Sequence, residues 1–334
     1  MKKIVYLLTI TALLSAVFIS CKEKTDITGL KISKSTLSMI PNRTANLDAS
    51  LLPYHATNKL EWTTSNENVV SITSVENKGK DVAVSKCEIT AKGVGTAIIT
   101  VSTKDGKNKA ICTVDVINPE PELIKVEGGT FTMGDEDDVW AMPSHEVTIS
   151  SFYVAKYPVT QQQWEALMGS NPSYTQGGKH PVERVSWEDA TAFIKKLNAY
   201  TGKKYRLLTE AEWEYAARGG NQSQNYKYSG SDDVNAVAWY AENSDGKSQP
   251  VGTKAPNELG IYDMSGNVWE WCSDWADYYT SESQIDPPGP PTGTWHIIRG
   301  GGATSYAQLL RVFTRSYSMP SYTSPYIGFR LAHP

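Results

Sequence analysis

The sequence predicts a multidomain protein in which an all-β domain is followed by a larger, loop-rich α+β domain. Short β-branched runs separated by turn residues fill 27–117, whereas three capped helices and long Gly- and Pro-containing stretches fill 123–334. Of ten tryptophans, only Trp62 precedes residue 120. The composition therefore changes at 118–122, Asn-Pro-Glu-Pro-Glu, which we interpret as the linker.

The N-terminus has the layout of a signal peptide. Lys2 and Lys3 precede an almost wholly apolar run that ends in Ile-Ser before Cys21. A transmembrane anchor is the alternative, but about 17 apolar residues are at the short limit for crossing a bilayer. The segment resembles a bacterial lipobox. This implies that 1–20 are removed, that Cys21 is lipidated and that 21–26 form the tether of an exported protein.

Composition and charge exclude one class of partner. The net charge is -4 and charged residues make up 20% of the chain, which describes an ordinary solvated surface. No long basic run or basic helix is present, so we expect no nucleic-acid binding.

The first domain is predicted to consist of short strands. Asp105-Gly106 separates two of them and is typical of a hairpin turn, because glycine accepts the positive φ that such turns require. Trp62 is expected to fill the core. The predicted strands are 60–63, 69–72, 87–91, 96–101 and 110–116.

Together these runs resemble the bacterial immunoglobulin-like group 2 domain, which implies an all-β immunoglobulin-like sandwich. The segments that carry the resemblance are 32–38, 61–65, 69–72, 93–101 and 112–114. Cys87 and Cys112 lie on two of the predicted strands, and an oxidising compartment permits a disulfide between them. Two small buried thiols are the alternative. Neither cysteine has a His or Cys neighbour at metal-ligand spacing.

The second domain contains three well-marked helices. Thr160, Ser186 and Thr209 each begin a segment with the pattern of an N-terminal cap, and Gly169 and Gly202 follow the first two helices. The remaining sequence is rich in Gly, Pro, Asn and Asp. We therefore expect long loops held together by packed aromatic side chains.

This domain resembles the formylglycine-generating enzyme, or sulfatase-modifying factor, family over its whole length, which implies a loop-rich C-type-lectin-like fold. The ordered motifs that carry the resemblance are 126–134, 143–147, 158–160, 180–190, 206–216, 260–272, 299–301 and 328–331.

The family's enzymes convert a substrate cysteine to formylglycine with oxygen, using a cysteine pair that binds copper(I) shortly after the double glycine. The matching stretch here, 302–315, contains no cysteine, and Cys272 is the only cysteine of 123–334. We expect no copper and interpret Cys272 as a packing residue. Oxidase activity of this or a related metal-dependent class remains the alternative function.

The resemblance also implies a structural calcium ion at the Gly-Asn-x-Trp-Glu-Trp turn. The corresponding ligands are Asp263, Gly266, Val268 and Glu270, a mixture of carboxylate and carbonyl oxygens that suits a hard ion. The alternative is that Glu270 only caps the turn.

No other catalytic constellation stands out. The histidines form no close pair, so we expect His145 and His180 to be structural. Glu210, Glu212 and Glu214 alternate along a helix and are expected on a solvated surface.

Binding or assembly at the cell envelope is the function that we expect. The partners would be envelope proteins or glycans, with a lipid anchor in the membrane and an outer-membrane location. Family members without the cysteines include outer-membrane lipoproteins of the gliding and type IX secretion machinery. Residues 286–291 are expected near the rim of a surface cleft. Its candidate aromatic residues, most of them expected in the core, are Trp140, Tyr157, Trp239, Tyr240, Tyr278, Tyr279, Trp295 and Tyr306.

Overall fold

A computed structural model describes residues 26–334 of the chain. The signal peptide and the lipidated Cys21 predicted from the sequence lie outside these residues. Within the described part, no helix has the length and apolar character needed to cross a membrane.

The first domain consists of two sheets packed face to face, as the sequence predicted. One has the strand order β1-β3-β7-β5, and the other has the order β2-β9-β8-β4-β6. The strands are β1 (Gly29–Ile32), β2 (Thr36–Met39), β3 (Thr44–Leu52), β4 (Asn58–Thr64), β5 (Val70–Val75), β6 (Asp81–Val82), β7 (Val84–Ala91), β8 (Gly95–Thr103) and β9 (Lys109–Val116).

Alternating side chains of these strands form one apolar core. In β8, for example, Ala97, Ile99 and Val101 are buried while their neighbours face outward. Trp62 belongs to this core, and its indole N–H donates to Ser85 Oγ at 3.1 Å. The β8–β9 hairpin turns at Gly106, whose φ is +68°, which confirms the predicted turn.

Cys87 and Cys112 lie on β7 and β9, in opposite sheets of the sandwich. Both side chains are buried and both are free cysteines in the structure, which is the second of the two alternatives left open by the sequence. Burial raises the pKa of each thiol to about 11.

The second domain has three small sheets, with strand orders β10-β13-β19, β11-β12-β15 and β17-β16-β14-β18. Its strands are β10 (Leu123–Val126), β11 (Gly129–Met133), β12 (His145–Ile149), β13 (Phe152–Ala155), β14 (Trp269–Trp275), β15 (Gln284–Ile285), β16 (His296–Arg299), β17 (Arg315–Ser318), β18 (Ile327–Phe329) and β19 (Ala332–His333).

Four α-helices and two short 3₁₀ helices complete this domain. The N-caps of the first three α-helices are Thr160, Ser186 and Thr209, each in a complete capping box, as predicted. The helices are α1 (Gln161–Met168), α2 (Trp187–Thr201), α3 (Glu210–Ala217) and α4 (Val234–Val237), and the 3₁₀ helices are Gly220–Gln222 and Ala307–Leu310.

Aromatic stacking holds the irregular segments against the sheets. The imidazole of His296 lies between the indole rings of Trp187 and Trp275, with centroid distances of 3.9 and 3.8 Å. The Trp187 indole N–H also donates to the Cys272 carbonyl at 3.0 Å. Cys272 is fully buried, and burial raises the pKa of its thiol well above the ordinary value, which agrees with a packing role.

Candidate functional site

An open cleft lined by aromatic rings lies on the four-stranded sheet of the second domain. Its volume is about 780 Å³, within the range of small-molecule and peptide side-chain pockets. Four of its side chains are large aromatic groups with substantial exposure: Trp140 at 52%, Tyr278 at 74%, Trp295 at 41% and Tyr317 at 44%. Such exposed apolar surface is unusual on a monomer unless a ligand or partner covers it. We call this feature the aromatic cleft.

The four exposed rings of the aromatic cleft contact one another in series. Trp140 stacks on Tyr278 with the ring centroids 6.4 Å apart and the planes 14° apart. Tyr317 packs edge-on against Trp140 at 6.3 Å and lies 5.3 Å from Trp295. Because each ring limits the rotation of the next, the cleft is partly preorganised for a ligand.

Arg315, the first residue of β17, joins the two loops that carry Trp140 and Tyr278. Its Nη1 donates to the carbonyl of Asp277 at 2.9 Å and to that of Trp140 at 3.4 Å. Its guanidinium also stacks on Tyr279, 3.8 Å from the ring centroid. The position of the cleft wall therefore depends on one arginine.

Arg315 is held in turn by a carboxylate of α3. Its Nε and Nη2 donate to the two oxygens of Glu210 at 2.8 and 2.6 Å. Glu214, one turn later on the same helix, is fully buried and pairs with Arg299 and Arg218. Arg299 also approaches Glu210, with Nη1 3.4 Å from Oε1.

The prediction that the three glutamates of α3 lie on a solvated surface is wrong. Glu210, Glu212 and Glu214 are all buried. Residues four apart share one face of a helix, so Glu210 and Glu214 both point toward Arg299, while Glu212 pairs with Arg206 at 2.6 Å. The sequence pattern did not show this, because the arginines that meet Glu210 and Glu214 on their shared face, Arg299 and Arg315, are 85 or more residues away.

The stretch 302–315, where the family resemblance would place catalytic cysteines, borders the aromatic cleft. Leu309, in the 3₁₀ helix Ala307–Leu310, lines it. Arg299 fixes the end of this stretch by donating to the carbonyls of Phe313 at 2.9 Å and Val312 at 3.1 Å. The residues of 26–334 that line the cleft include neither cysteine nor histidine.

Glu270, one of the predicted calcium ligands, forms a buried ion pair. Arg330 Nη2 donates to its Oε1 at 2.8 Å, and the Trp213 indole N–H donates to its Oε2 at 2.8 Å. Arg330 also donates to the carbonyls of Ala155 and Tyr262, at 2.8 and 2.7 Å. The ion pair between Glu270 and Arg330 therefore connects α3, through Trp213, and β13, through Ala155, to the C-terminal segment that carries Arg330.

The other predicted ligands lie in an irregular turn before β14. Asp263 is buried and has a φ of +58°, and its carboxylate accepts from the Gly252 N–H at 2.8 Å and the Asn267 side chain at 3.3 Å. Both donors are uncharged. Burial raises the pKa of Asp263 to about 6.

The remaining two positions, Gly266 and Val268, belong to the same turn and are buried. Gly266 has a φ of +84°, and its N–H donates to the Gly300 carbonyl at 2.8 Å. Residues 26–334 contain no group of three or more His, Cys, Asp or Glu side chains arranged to hold a metal. Any cation at this turn would therefore depend largely on backbone carbonyls.

The two histidines that were predicted to be structural, His145 and His180, differ in their hydrogen bonding. His145 is buried and its Nδ1 lies 3.2 Å from the Pro143 carbonyl, as expected of a structural histidine. The Nδ1 of His180 has no partner among the described residues.

Of the predicted cleft aromatics, only Trp140, Tyr278 and Trp295 line the aromatic cleft, while Tyr240 is buried.

Sequence reasoning missed Trp269, Arg315 and Tyr317 as cleft residues. Tyr317 follows Arg315 by two, so both side chains lie on the same face of β17. That spacing is visible in the sequence. Without the strand order, however, it does not indicate which surface the face belongs to.

Comparison with protein families gives two matches. The Sulfatase-modifying factor enzyme 1-like domain matches residues 111–334, and the Bacterial Ig-like domain (group 2) matches residues 26–114. Both resemblances noted in the sequence are confirmed.

Two relatives and one solved structure illustrate the range of similar proteins. The chain is 38% identical over 234 residues to the chaperone protein LppX of Paenibacillus barcinonensis, covering 55% of this chain and 79% of LppX. It is 38% identical over 188 residues to the formylglycine-generating enzyme of Streptomyces coelicolor, covering 51% of this chain and 58% of that enzyme. Treponema denticola variable protein 1 superposes with a TM-score of 0.60 at 32% identity, covering 63% of this chain and 94% of the other.

Proposed function

Because this chain belongs to the sulfatase-modifying factor enzyme 1-like domain family, we propose that it uses the family scaffold to bind a partner. The partner is an apolar segment of another envelope polypeptide, held in the aromatic cleft. One observation carries the proposal: four exposed, mutually packed aromatic side chains line an open cleft of about 780 Å³. Rigid aromatic groups supply large contact area at low entropic cost.

Two further points favour a polypeptide over a glycan. The cleft contributes few charged side chains, Asp277 and Arg315, and Arg315 is already bonded to Glu210. A relative with 38% identity is named a chaperone protein. A glycan, whose hydroxyl groups need many polar partners, is the competing ligand.

The binding experiment compares the purified protein with a double variant, Trp140→Ala/Tyr317→Ala. Both are applied to an array of envelope-protein peptides and to a glycan array. We expect the native protein to retain aromatic-rich peptides and the variant to lose them. Tyr54→Ala, at an exposed tyrosine of the first domain, is the matched control and should bind as the native protein does. Retention of glycans alone, or equal peptide binding by the double variant, would contradict the proposal.

We infer that the protein acts at the cell envelope as a lipid-anchored molecule, with Cys21 as the modified residue. The basis is the Lys-Lys start, the apolar run and the Ile-Ser-Cys sequence. Metabolic labelling with a fatty acid should label the native protein and leave Cys21→Ala unlabelled. Fractionation of inner and outer membranes then tests the proposed outer-membrane location. A soluble, unlabelled native protein would refute the anchor.

The alternative function is oxidation of a cysteine in an exported protein. It is favoured by the identity to a formylglycine-generating enzyme. Against it, Cys272 is the only cysteine of 123–334, and it is fully buried with a raised pKa. One buried thiol cannot supply a two-thiolate copper(I) site. Incubating the protein with copper(I), oxygen and a cysteine peptide tests this alternative, with an active family enzyme as the positive control.

We also propose that the turn at 263–270 holds a structural calcium ion. Asp263 fits, because it is a buried carboxyl whose two hydrogen-bond donors are uncharged. The carbonyls of Gly266 and Val268 would complete an oxygen-rich site, and Glu270 would join it while keeping its pair with Arg330. The ion would neutralise Asp263 and fix the turn that leads into β14.

A further inference from the structure

A second cavity lies beside the aromatic cleft and has a different chemical character. Its volume is about 510 Å³, and it is bounded by Glu210 at the start of α3, by Asp274 of β14 and by the segment 287–290. The wall between the two cavities consists of three residues that line both, Asp277, Tyr278 and Arg315. The second cavity contains two buried carboxyl groups, whereas the aromatic cleft contains none.

We propose that this cavity binds an organic cation, either an alkylammonium or an alkylguanidinium group, with Asp274 as its carboxylate partner. The site goes beyond the polypeptide-binding role of the aromatic cleft, and the proposal does not depend on that role.

Asp274 is a buried carboxyl group that faces this cavity. Its side chain is 5% exposed and lines the cavity. Asp274 Oδ2 accepts hydrogen bonds from the Glu210 N–H and from Ser273 Oγ, both at 2.9 Å. Oδ1 accepts none from any residue of 26–334, and no cation of the described chain forms a salt bridge with this carboxyl. A buried carboxylate without a charged partner is costly, and a bound cation would offset that cost.

The neighbouring Arg315 cannot serve as the charged partner of Asp274. Arg315 gives its Nε and Nη2 to Glu210 and its Nη1 to two backbone carbonyls. Its charge is therefore matched by Glu210, and Asp274 remains as the unmatched acid. Burial, together with the charge of Glu210, raises the pKa of Asp274 to about 7.

The walls of the cavity fit an alkyl chain. Met133, Ile285 and Pro288 provide apolar surface. The phenol oxygen of Tyr279, which also lines the cavity, is buried without a hydrogen-bond partner among the described residues. It could accept one N–H of a ligand while Asp274 accepts another.

The segment over Asp274 is fixed in place. Asp286 accepts from the Ser150 N–H at 2.7 Å and from Ser150 Oγ at 2.6 Å, which anchors its start. Gly289, with a φ of +72°, passes so close that a Cβ there would lie 2.8 Å from Asp274 Cβ. Only glycine allows this approach, so the cavity is shaped before any ligand arrives.

The test uses calorimetry of the full mature chain with n-butylguanidinium and n-butylammonium, and with n-butanol as the uncharged probe. We expect both cations to bind and butanol to bind at least about tenfold more weakly, as for the loss of one charge-assisted hydrogen bond. Asp274→Asn keeps an acceptor for the Glu210 N–H but removes the charge, and it should reduce cation affinity by a similar factor. Asp81→Asn makes the same change on an exposed strand of the first domain and should have no effect.

A second variant covers the case in which Asp274→Asn fails to fold. Ile285 is 77% exposed at the cavity, and Ile285→Lys places a competing ammonium there without touching the bonds of Asp274. It should weaken binding of both cations. Equal binding of butanol and the cations, or unchanged affinity in both variants, would overturn the proposal. Trp140→Ala should leave cation binding intact, so failure of the aromatic cleft is distinguishable from failure of this site.

Discussion

Glu210 and Arg315 form a two-point ion pair across 105 residues of sequence, with N–O distances of 2.8 and 2.6 Å. The pair connects the first turn of α3 to the first residue of β17. Since Arg315 also donates to the carbonyls of Trp140 and Asp277, it links the helix to the loops that carry Trp140 and Tyr278 in the aromatic cleft. Cleft geometry and domain stability therefore depend on the same contact.

Replacing Arg315 should damage both properties. Arg315→Gln leaves Glu210 buried with a weaker partner, Arg299 at 3.4 Å, and should lower the free energy of unfolding by about 3 kcal/mol, the lower end for a broken buried pair. Urea denaturation followed by tryptophan fluorescence reports mainly on the second domain, because only Trp62 precedes residue 120.

Lys125→Gln is the matched control for this experiment. It breaks an ion pair whose side chains are about half exposed and should leave the denaturation midpoint unchanged. Equal midpoints for Arg315→Gln and the native protein would show that the buried pair contributes nothing to stability.

Glu214 should make the second domain sensitive to acid. Burial alone would raise its pKa, but Arg218 and Arg299 bring it below the usual value for a glutamate. A lowered folded-state pKa gives stability that is complete above about pH 4.5 and is lost as pH falls through the folded-state value. Glu214→Gln should therefore flatten the dependence of the urea midpoint on pH in this acidic range, while Glu67→Gln, at an exposed site, should not. An unchanged slope in Glu214→Gln would rule out this role.

Calcium should raise the melting temperature of the native protein and not that of Asp263→Ala. Burial raises the pKa of Asp263 from 3.8 to about 6, so without a cation its ionisation destabilises the fold as pH rises from about 4 to about 6, and this loss of stability persists at higher pH. The calcium-dependent shift should accordingly be larger at slightly alkaline pH than at about pH 5.

Asp81→Ala is the control and should respond to calcium as the native protein does. Magnesium, which prefers a rigid octahedral site, should give a smaller shift. Absence of any shift with millimolar calcium would count against the proposed ion.

Cys87, Cys112 and Cys272 should behave as protected free thiols. All three are buried, and the pKa values of Cys87 and Cys112 are raised to about 11. Alkylation should be slow in the folded protein and complete in denaturant without a reductant, because the thiolate is the reactive form. Peptide mass mapping would reveal a disulfide as Cys87 and Cys112 peptides that take up label only after reduction.

Local features of the fold were predictable because neighbouring residues determine them. The capping boxes at Thr160, Ser186 and Thr209 satisfy backbone N–H groups two or three residues away, so their sequence pattern gave the helix starts correctly. The same holds for the Asp105-Gly106 turn, where Thr103 Oγ1 donates to Asp105 at 2.6 Å. In the first domain, short β-branched runs between turn residues located β4, β5, β7, β8 and β9, whereas β1, β2, β3 and β6 were not among the predicted strands.

The candidate sites were less predictable because distant residues form them. Spacing did not show that Glu214 meets Arg299, 85 residues away, or that Glu270 meets Arg330, 60 residues away. The segment 286–291 was expected near the rim of a surface cleft, and Pro287 to Pro290 line the second cavity, which lies beside the aromatic cleft. Long irregular connections carry no periodic signal that fixes where they pack.

The sequence alone determined the family, the order of the two domains and the lack of cysteines in 302–315. These properties depend on residue identity and order along the chain. Only the tertiary structure decided that three glutamates of α3 are buried, that Trp140, Tyr278, Trp295 and Tyr317 share one cleft, and that Asp274 has no charged partner within 26–334. The physical reason is that burial, ion pairing and exposure depend on which distant segments the folded chain brings within contact distance.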